Sequence, residues 1–249
     1  MRTLRYLTMT HTLAPPHRER PSFTLSWAQT LDGRLATRSG SSQWISGSAS
    51  LLMTHRLRAN HDAIMVGSRT VLADDPRLTV RLPADERAPD TPDPLRIIID
   101  SRLSIPITAR VLADGAATGT VIATCVNAEP ARADALRALG ATVLSVPAAS
   151  ACDVTGSHHV DLHALAHLLA ARGVGSVMVE GGAGLLTALL RNRLADRIVV
   201  TIAPKLLGEG IAAVGELGLD DLQQAGILRD PIWTPYGVDM VLDGALMWP

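Results

Sequence analysis

The part of the sequence that could most readily do chemistry is residues 177–187, Val-Met-Val-Glu-Gly-Gly-Ala-Gly-Leu-Leu-Thr. The apolar run predicts a buried strand that ends on Glu180, and the glycines predict a turn into a helix. Such a turn lets backbone N–H groups approach a phosphate at the positive end of the helix dipole. In an open parallel sheet, ligands bind at the carboxyl ends of the strands, where Glu180 would lie. A tight strand-to-helix connection that binds nothing explains the same residues equally well.

Arginine side chains form a second group with chemical potential. Arg58 falls in the last turn of a predicted helix, where the helix dipole favours a cation, and Arg81 follows an Asp-Asp-Pro loop. The two could clamp a phosphate, although ordinary solvated surface is the alternative. Trp44 lies in a serine-rich loop with no apolar run around it, so its indole could stack on a flat ring.

Histidines raise the question of a metal site. His159, His163 and His167 fall about one helical turn apart, a spacing that can place ligands on one face of a helix. The leucines between 162 and 169 form the apolar stripe of the same helix, and the histidines lie beside it. A solvated flank therefore explains them better, and we expect no metal.

Composition excludes several classes of protein. The 249 residues suit one large domain or two small ones, and the net charge of −1 gives no electrostatic reason to expect a nucleic acid or membrane partner. No apolar run approaches the length of a membrane span. Cys125 and Cys152 have neither metal nor redox spacing, which is typical of a reducing cytoplasm. His17-Arg18-Glu19 matches half of a zinc deaminase signature, but the Pro-Cys-x-x-Cys half is missing.

The elements that position these residues follow from apolar periodicity. Alternation from Phe23 to Ala28 predicts the first strand. Further strands are predicted at 62–67, 95–100, 120–126, 142–146, 176–179 and 197–202, and helices at 49–60, 131–139, 161–172 and 183–194. Strands that alternate with helices predict an α/β fold with a mostly parallel central sheet flanked by helices. We expect Ser46 or Ser48 to cap the first helix, and residues 67–70 to form a turn.

The ends of the chain differ from this pattern. Beyond Pro204 the alternation stops, and residues 227–233 and 238–242 predict a C-terminal antiparallel hairpin. Residues 1–20 lack the apolar core and cleavage site of a signal peptide, and we interpret them as a flexible N-terminal extension. Residues 21–249 then form a single domain.

Eight segments in the same order resemble the reductase domain of bacterial riboflavin biosynthesis. They are Trp27-Ala-Gln-Thr-Leu-Asp-Gly-Arg34, Ser42-Gln-Trp-Ile45, Leu57-Arg-Ala59, Thr70-Val-Leu-Ala-Asp-Asp-Pro76, Leu78-Thr-Val-Arg81, Ile99-Asp-Ser101, Val179-Glu-Gly-Gly182 and Ala203-Pro-Lys-Leu-Leu-Gly208. The resemblance runs from about Pro21 to the end of the chain. It implies a dihydrofolate-reductase-like fold and the reduction of 5-amino-6-(5-phosphoribosylamino)uracil by NADPH to the ribityl compound. It also implies a homodimer.

The resemblance assigns residues as well. It implies that substrate is contacted by Ser42, Arg58, Leu78, Arg81 and Glu180, and cofactor by Trp44, Thr70, Asp74, Ser101, Gly182, Ala183, Gly184, Leu185, Leu186 and Thr187. Arg102 follows Ser101 directly, so the two could grip a 2′-phosphate. Glu180 is also the candidate catalytic residue, because a proton must reach the ribose ring oxygen, through Glu180 or a bound water.

Two departures leave alternatives open. Bacterial members usually carry a zinc deaminase domain before the reductase, and we expect neither room nor ligands for one here. Where many members have a lysine on the first strand, this chain has Ser26. A paralogue that reduces a related pteridine, folate or deazaflavin-type precursor therefore remains an alternative, as does a non-catalytic nucleotide-binding protein. Asp32 is expected to do no more than hold its Asp-Gly turn.

Overall fold

The computed structural model describes residues 19–88, 90–149 and 159–249. The strands of this part of the chain are β1 (Ser22–Thr30), β2 (Arg34–Thr37), β3 (Ala63–Gly67), β4 (Leu95–Ile99), β5 (Thr120–Cys125), β6 (Thr142–Val146), β7 (Ser176–Glu180), β8 (Arg197–Ala203), β9 (Gly210–Ala212), β10 (Ile227–Tyr236) and β11 (Asp239–Met247). The α-helices are α1 (Ser48–Ala59), α2 (Ser68–Asp74), α3 (Pro130–Ala138), α4 (Leu162–Ala170) and α5 (Ala183–Arg191).

One nine-stranded sheet organises the molecule, in the order β10-β11-β8-β1-β7-β3-β4-β5-β6. Strands β8, β1, β7, β3, β4, β5 and β6 are mutually parallel. The hairpin β10–β11 joins the edge at β8 in the antiparallel direction. These observations confirm the predicted α/β class, the mostly parallel sheet and the C-terminal hairpin.

Helices cover both faces of the sheet because its central strands are apolar on both sides. On one face, α4 and α5 pack their leucines against residues such as Leu25 and Val179. On the other face, Met53 and Leu57 of α1 pack against Met178. Consecutive strand residues point to opposite faces, so Glu180, two residues after Met178, points to the α1 face. This alternation is what brings Glu180 next to α1.

The N-terminus of α1 corrects one expectation. The residue before the helix is Gly47, and no side chain of the loop caps it, so the caps predicted from Ser46 or Ser48 are wrong. Instead, the buried carboxylate of Asp239, the first residue of β11, accepts hydrogen bonds from Gly47 N (2.8 Å) and Ser50 Oγ (2.7 Å). An anion is favoured at this end of a helix, and only the folded chain brings Asp239 there.

Two further elements differ from expectation. Residues 67–70, predicted as a turn, instead lead into α2, which begins at Ser68 and ends at Asp74. The next residue, Asp75, adopts the left-handed conformation. The short sheet β2–β9 has no strong apolar signal and was not predicted. At the start of the described chain, Arg20 forms a two-armed ion pair with Asp196, so this residue of the proposed extension is held against the domain.

Candidate active site

The carboxyl ends of the central parallel strands form the edge at which the predicted site residues collect. Strand β7 lies between β1 and β3, and Ser26 of β1 is directly opposite Glu180 of β7. Side chains opposite each other in a parallel pair point to the same face, so Ser26 and Glu180 both face α1. Ser26 is only 6% exposed. A lysine at this position would therefore place its ammonium group beside the Glu180 carboxylate.

Arg58 and Glu180 form the charged centre of this edge. Arg58 Nε and one terminal nitrogen donate to the two Glu180 oxygens at 2.5 and 2.6 Å, and the other terminal nitrogen donates to the Thr79 carbonyl at 2.7 Å. The side chains are 11% and 17% exposed. Burial alone would lower the pKa of Arg58, but the charge and hydrogen bonds of Glu180 raise it. The pair is therefore held in a fixed geometry by two parallel hydrogen bonds.

Arg58 is less free to bind a phosphate than the sequence suggests. Three of its five N–H donors are directed at Glu180 and Thr79, which leaves two for a ligand. Arg81 is exposed, and one of its terminal nitrogens donates to Thr79 Oγ1 at 3.2 Å. Burial and the charge of Arg58 lower the pKa of Arg81, as expected where two cations lie close together. Arg81 is thus the more accessible of the two cations.

His55 completes this cluster and was not predicted. It lies three residues before Arg58 on α1, and its Nδ1 accepts a hydrogen bond from Arg81 N at 3.2 Å. Burial, followed by the charges of Arg58 and Arg81, lowers the pKa of His55 to about 4. The imidazole is consequently neutral at physiological pH. The spacing of three residues on one helix was the sequence signal that could have identified it.

Leu78 and Ser42 are the two remaining residues of the predicted substrate set. Leu78 has a positive φ of 50° and is 2% exposed, with its side chain packed in the core beside Ile64 and Ile98. Only the backbone of Leu78 is available to a substrate, so a contact at this position would be made by its main chain. Ser42 is half-buried in the loop before α1, where its carbonyl accepts a hydrogen bond from Ile45 N.

The glycine turn after β7 has the geometry that a phosphate needs. Gly181 and Gly182 have positive φ values of 58° and 80°, which favour glycine at both positions. No side chain caps α5, and its first turn holds no acidic residue. A Cβ on Gly182 would lie 3.2 Å from Thr70 Oγ1, so the structure brings Thr70 of α2 to the turn. The backbone from Gly182 to Gly184 is therefore open to an anion at the start of a helix.

The remaining residues of the predicted cofactor set lie around or away from this turn. Ala183, Gly184, Leu185, Leu186 and Thr187 form the first turns of α5, in which Leu186 is buried in the core. Thr187 donates its hydroxyl hydrogen to Ala183 O and accepts from Gly215 N. The contacts of Leu186 and Thr187 are thus internal to the protein. The backbone of the first residues is the part left to a ligand.

The end of β4 carries Ser101 and Arg102. The Ser101 hydroxyl accepts a hydrogen bond from Val160 N at 3.2 Å, which ties the start of α4 to this strand end. Arg102 is exposed next to it. Asp74 is also exposed and is the last residue of α2. The next residue, Asp75, accepts a hydrogen bond from Arg110 N in the segment between β4 and β5. The structure therefore places Asp74 at the opposite end of α2 from Thr70.

Trp44 is exposed at 71%, but its main chain is held in place. Lys205 Nζ donates to the carbonyl oxygens of Trp44 (2.6 Å) and Ile45 (2.9 Å). Lys205 follows β8 and was not predicted, although it is the only lysine in the sequence. The indole itself is left uncovered.

Asp32 does more than hold its own turn. Its carboxylate accepts hydrogen bonds from Thr30 Oγ1 (2.6 Å) and Gly208 N (2.6 Å), and more weakly from Leu207 N. The Thr30 hydroxyl is the main reason that the pKa of Asp32 is lowered to about 2. The expectation that Asp32 is purely a turn residue is therefore too narrow, because it also anchors the loop after β8.

Within the described ranges, no group of three or more His, Cys, Asp or Glu side chains is placed to hold a metal ion. His163 and His167 are exposed on α4, and His167 Nδ1 bonds to the Glu19 carbonyl. Both lie beside the buried Leu165 and Leu169, as the periodicity predicted. Cys152 and His17 of the sequence argument lie outside the described residues. Across the same ranges, no helix combines the length and apolarity needed to cross a membrane.

The sheet order, the C-terminal hairpin and a charged site at the carboxyl edge define a dihydrofolate-reductase-like α/β domain. Comparison with known protein families identifies it further. Residues 21–236 match the model of the RibD C-terminal domain, and the chain belongs to this family. The predicted resemblance to the riboflavin-biosynthesis reductases is thereby confirmed.

Individual relatives agree with this assignment. The chain is 38% identical, over 90% of its length, to riboflavin biosynthesis protein RibD of Aquifex aeolicus, of which it covers 57%. It is 40% identical to a 2,5-diamino-6-ribosylamino-4(3H)-pyrimidinone 5′-phosphate reductase of Methanothermobacter thermautotrophicus, covering 90% of this chain and 97% of that protein. The solved structure of Acinetobacter baumannii RibD superposes with a TM-score of 0.76 at 28% identity, covering 92% of this chain and 59% of that one. The chain thus spans little more than half the length of the RibD proteins that it matches.

Proposed function

We propose that this protein reduces 5-amino-6-(5-phosphoribosylamino)uracil to the ribityl compound with NADPH, in riboflavin biosynthesis. The observation that carries the proposal is the Arg58–Glu180 pair, fixed at the end of β7 directly before an uncapped glycine turn. A polar, charged substrate group and an anionic cofactor group would meet at this edge of the sheet. The family and its named relatives support the same reaction class.

Glu180 is proposed to bind the substrate and to orient its ribose. Arg58 holds both carboxylate oxygens, so Glu180 enters the reaction in a fixed rotamer, without an ordering cost when substrate arrives. The reaction requires a proton at the ribose ring oxygen when that ring opens. Because both oxygens of Glu180 already accept hydrogen bonds from Arg58, we favour a water bound to Glu180 as the route by which this proton is delivered.

Arg81 is proposed to hold the substrate 5-phosphate. It is exposed beside Arg58, and its position is set by hydrogen bonds to His55 and Thr79. Two neighbouring cations attract a phosphate more strongly than one, and the neutral state of His55 avoids a third charge that would repel them. Ser42 and the Leu78 backbone would complete the substrate contacts.

The residues around the glycine turn fit a dinucleotide cofactor. The backbone of Gly182 to Gly184 would hold a phosphate, and Thr70 lies beside it. When bound, NADPH supplies the hydride that reduces C1 of the opened ribose. Trp44 would cover a flat ring of the cofactor, and Asp74 would contact the rest of the molecule from α2. The protein's own part is to hold donor and acceptor close and to exclude water.

Preference for NADPH over NADH is proposed to reside in Ser101 and Arg102. Both follow β4 on the same edge of the sheet as the glycine turn, and Arg102 is exposed. The guanidinium would pair with the 2′-phosphate while the Ser101 hydroxyl, already fixed by Val160 N, donates its hydrogen. The double variant Ser101→Ala, Arg102→Ala should bring the NADPH/NADH ratio of kcat/KM towards one. An unchanged ratio would move the 2′-phosphate to another part of the site.

A second candidate substrate is the 2,5-diamino-pyrimidinone phosphate, which differs from the first at the pyrimidine ring. The Methanothermobacter relative, almost all of which is covered by this chain, is named for that reaction. Purified protein would be given NADPH and each compound in turn, with absorbance loss and product mass as readouts. Turnover of the uracil compound at the higher kcat/KM supports the first proposal. Exclusive turnover of the diamino compound supports the second proposal, and turnover of neither compound would refute both proposals.

We propose that the enzyme is a cytoplasmic homodimer that associates through the hairpin. Strand β10 is the edge of the sheet, and Ile227, Ile232 and Trp233 are exposed along it. An exposed apolar edge strand readily pairs with a second copy of the same strand. Light scattering should give twice the chain mass for the wild type and the chain mass for Trp233→Lys with Ile232→Lys. A monomeric wild type would refute this assembly. The cytoplasmic location rests on the cysteine spacing alone.

A further inference from the structure

The loop that carries Trp44 is fixed through its main chain from both sides. On one side, Lys205 donates to the Trp44 and Ile45 carbonyls. On the other side, Asp239 accepts from Gly47 N at 2.8 Å. The indole between these contacts is 71% exposed. A large apolar side chain on a fixed main chain offers a flat surface that a ligand can cover without first ordering the loop.

Lys205 is itself held in position by the turn after β1. Leu31 N donates to the Lys205 carbonyl at 2.9 Å. Asp32 accepts from Gly208 N at 2.6 Å and thereby fixes the residues that follow Lys205. Because the pKa of Asp32 is lowered to about 2, this anchor is ionised throughout the physiological pH range. A continuous set of contacts thus leads from β1 through Lys205 to Trp44.

The type of residue at 205 suits the contact that it makes. Lys205 is the only lysine in a chain that uses arginine for its other basic side chains. An ammonium group is compact and has three donors, so it can bond two neighbouring carbonyls at once. A guanidinium is planar and matches carboxylates or phosphates better. Lys205 has the chemistry of a main-chain clamp rather than that of an anion-binding side chain.

We propose that Lys205 is a positioning residue for cofactor binding. Its contacts fix the Trp44 loop so that the exposed indole stacks on a flat ring of NADPH. This inference rests on the proposed use of NADPH. It extends that proposal to a side chain that need not touch the cofactor. A purely structural clamp would stabilise the loop without affecting cofactor affinity, and the two roles give different results in the following experiments.

The first experiment measures NADPH binding by energy transfer from tryptophan to the nicotinamide ring. Lys205→Met should raise the Kd for NADPH about five- to tenfold, the loss expected for a charge-assisted contact at a partly exposed site. The KM of the pyrimidine substrate at saturating NADPH should not change, and Lys205→Arg should recover part of the affinity. Arg38→Met is the matched control, because it removes an exposed cation that forms an ion pair with Glu209, a residue of the loop that also contains Lys205. It should leave the Kd unchanged.

A double-mutant cycle tests whether Lys205 acts through Trp44. NADPH binding would be measured by calorimetry, because Trp44→Ala removes a fluorophore. If the clamp serves the indole, Lys205→Met should cause no further loss of affinity in the Trp44→Ala background. An equal loss in both backgrounds would overturn the inference, since Lys205 would then act independently of Trp44. Melting temperatures of all variants separate these effects from unfolding.

A third readout uses the unmodified protein and does not depend on any variant folding. The only lysine ε-amine is at Lys205, so its acetylation by an N-hydroxysuccinimide ester can be followed at one peptide by mass spectrometry. NADPH should slow this acetylation about threefold or more relative to the N-terminal amine, because a covered Trp44 loop opens less often. An unchanged rate at saturating NADPH would overturn the inference while leaving the proposed function intact. If the wild type does not bind NADPH, both fall together.

Discussion

The substitution Glu180→Gln tests the charged centre of the site most sharply. Glutamine keeps the shape of the side chain, and its carbonyl oxygen can still accept from Arg58 Nε. Its amide nitrogen, however, faces a terminal nitrogen of Arg58, so two donors meet where a short 2.6 Å hydrogen bond was made. Arg58, at 11% exposure, then lacks its counter-charge. Removal of one partner from a buried ion pair costs about 3 kcal/mol or more.

The expected consequence is a large loss of both stability and activity. For a domain of this size, 1 kcal/mol corresponds to roughly 2–4 °C in Tm, so Glu180→Gln should lower the Tm by about 6–12 °C. Thermal unfolding followed by circular dichroism measures this shift. Turnover of the pyrimidine substrate with NADPH should fall about a hundredfold or more in kcat/KM, since the substrate loses its charged partner.

A second variant separates the two effects. Arg58→Met combined with Glu180→Gln removes the unpaired charge, so most of the lost stability should return. Activity should not return, because the carboxylate that contacts substrate is still absent. If kcat/KM recovers together with Tm in the double variant, Glu180 is a structural residue only, and our assignment of the substrate site is wrong.

Three other predictions concern neighbours of this pair. Ser26→Lys, which places an ammonium beside Glu180, should be tolerated and change kcat by no more than about tenfold, near 1.4 kcal/mol. If the wild type is inactive on the uracil compound and Ser26→Lys is active, the native substrate is a different compound. Arg81→Ala should weaken binding of the phosphorylated substrate roughly ten- to a hundredfold and leave the affinity for NADPH unchanged. An equal loss of affinity for dephosphorylated substrate would place the phosphate elsewhere. The pKa of His55 in the folded chain is lowered to about 4, so as pH falls the unfolded chain takes up a proton at this residue first. The free energy of unfolding should therefore decrease as pH falls through about 6.5 towards 4. His55→Gln should flatten that part of the profile of unfolding free energy against pH; an unchanged profile would show that His55 protonates normally.

The apolar pattern predicts the strands and helices well because most of them bury one or two faces. The bounds of β6 agree with the prediction, and those of β4, β5 and β8 differ by a residue. The errors lie where tertiary contacts decide. The cap of α1 comes from Asp239, which is remote in sequence, and β2 and β9 pair over only a few residues with little apolar signal. Local propensity contains neither kind of information.

The site could be predicted in outline but not in its internal contacts. The strand-end position of Glu180 and its closeness to Arg58 follow from the α/β pattern and from the resemblance together. The direction of the Arg58 donors, and the burial of the Leu78 side chain, depend on packing that no local pattern encodes. Lys205 and His55 were missed because their partners are backbone atoms of distant loops. Two sequence signals pointed to Lys205: it lies in the resembling segment 203–208, and it is the only lysine in the sequence.

The most direct test of the central claim follows a hydrogen isotope from cofactor to product. The purified protein would be incubated with 5-amino-6-(5-phosphoribosylamino)uracil and NADPH that carries deuterium at the transferable position of the nicotinamide ring. Our account predicts one deuterium in the product, located at C1 of the ribityl chain by NMR. It also predicts that Glu180→Gln forms little or none of this deuterated product. Oxidation of NADPH without deuterium at that carbon, or no product at all, would contradict the account.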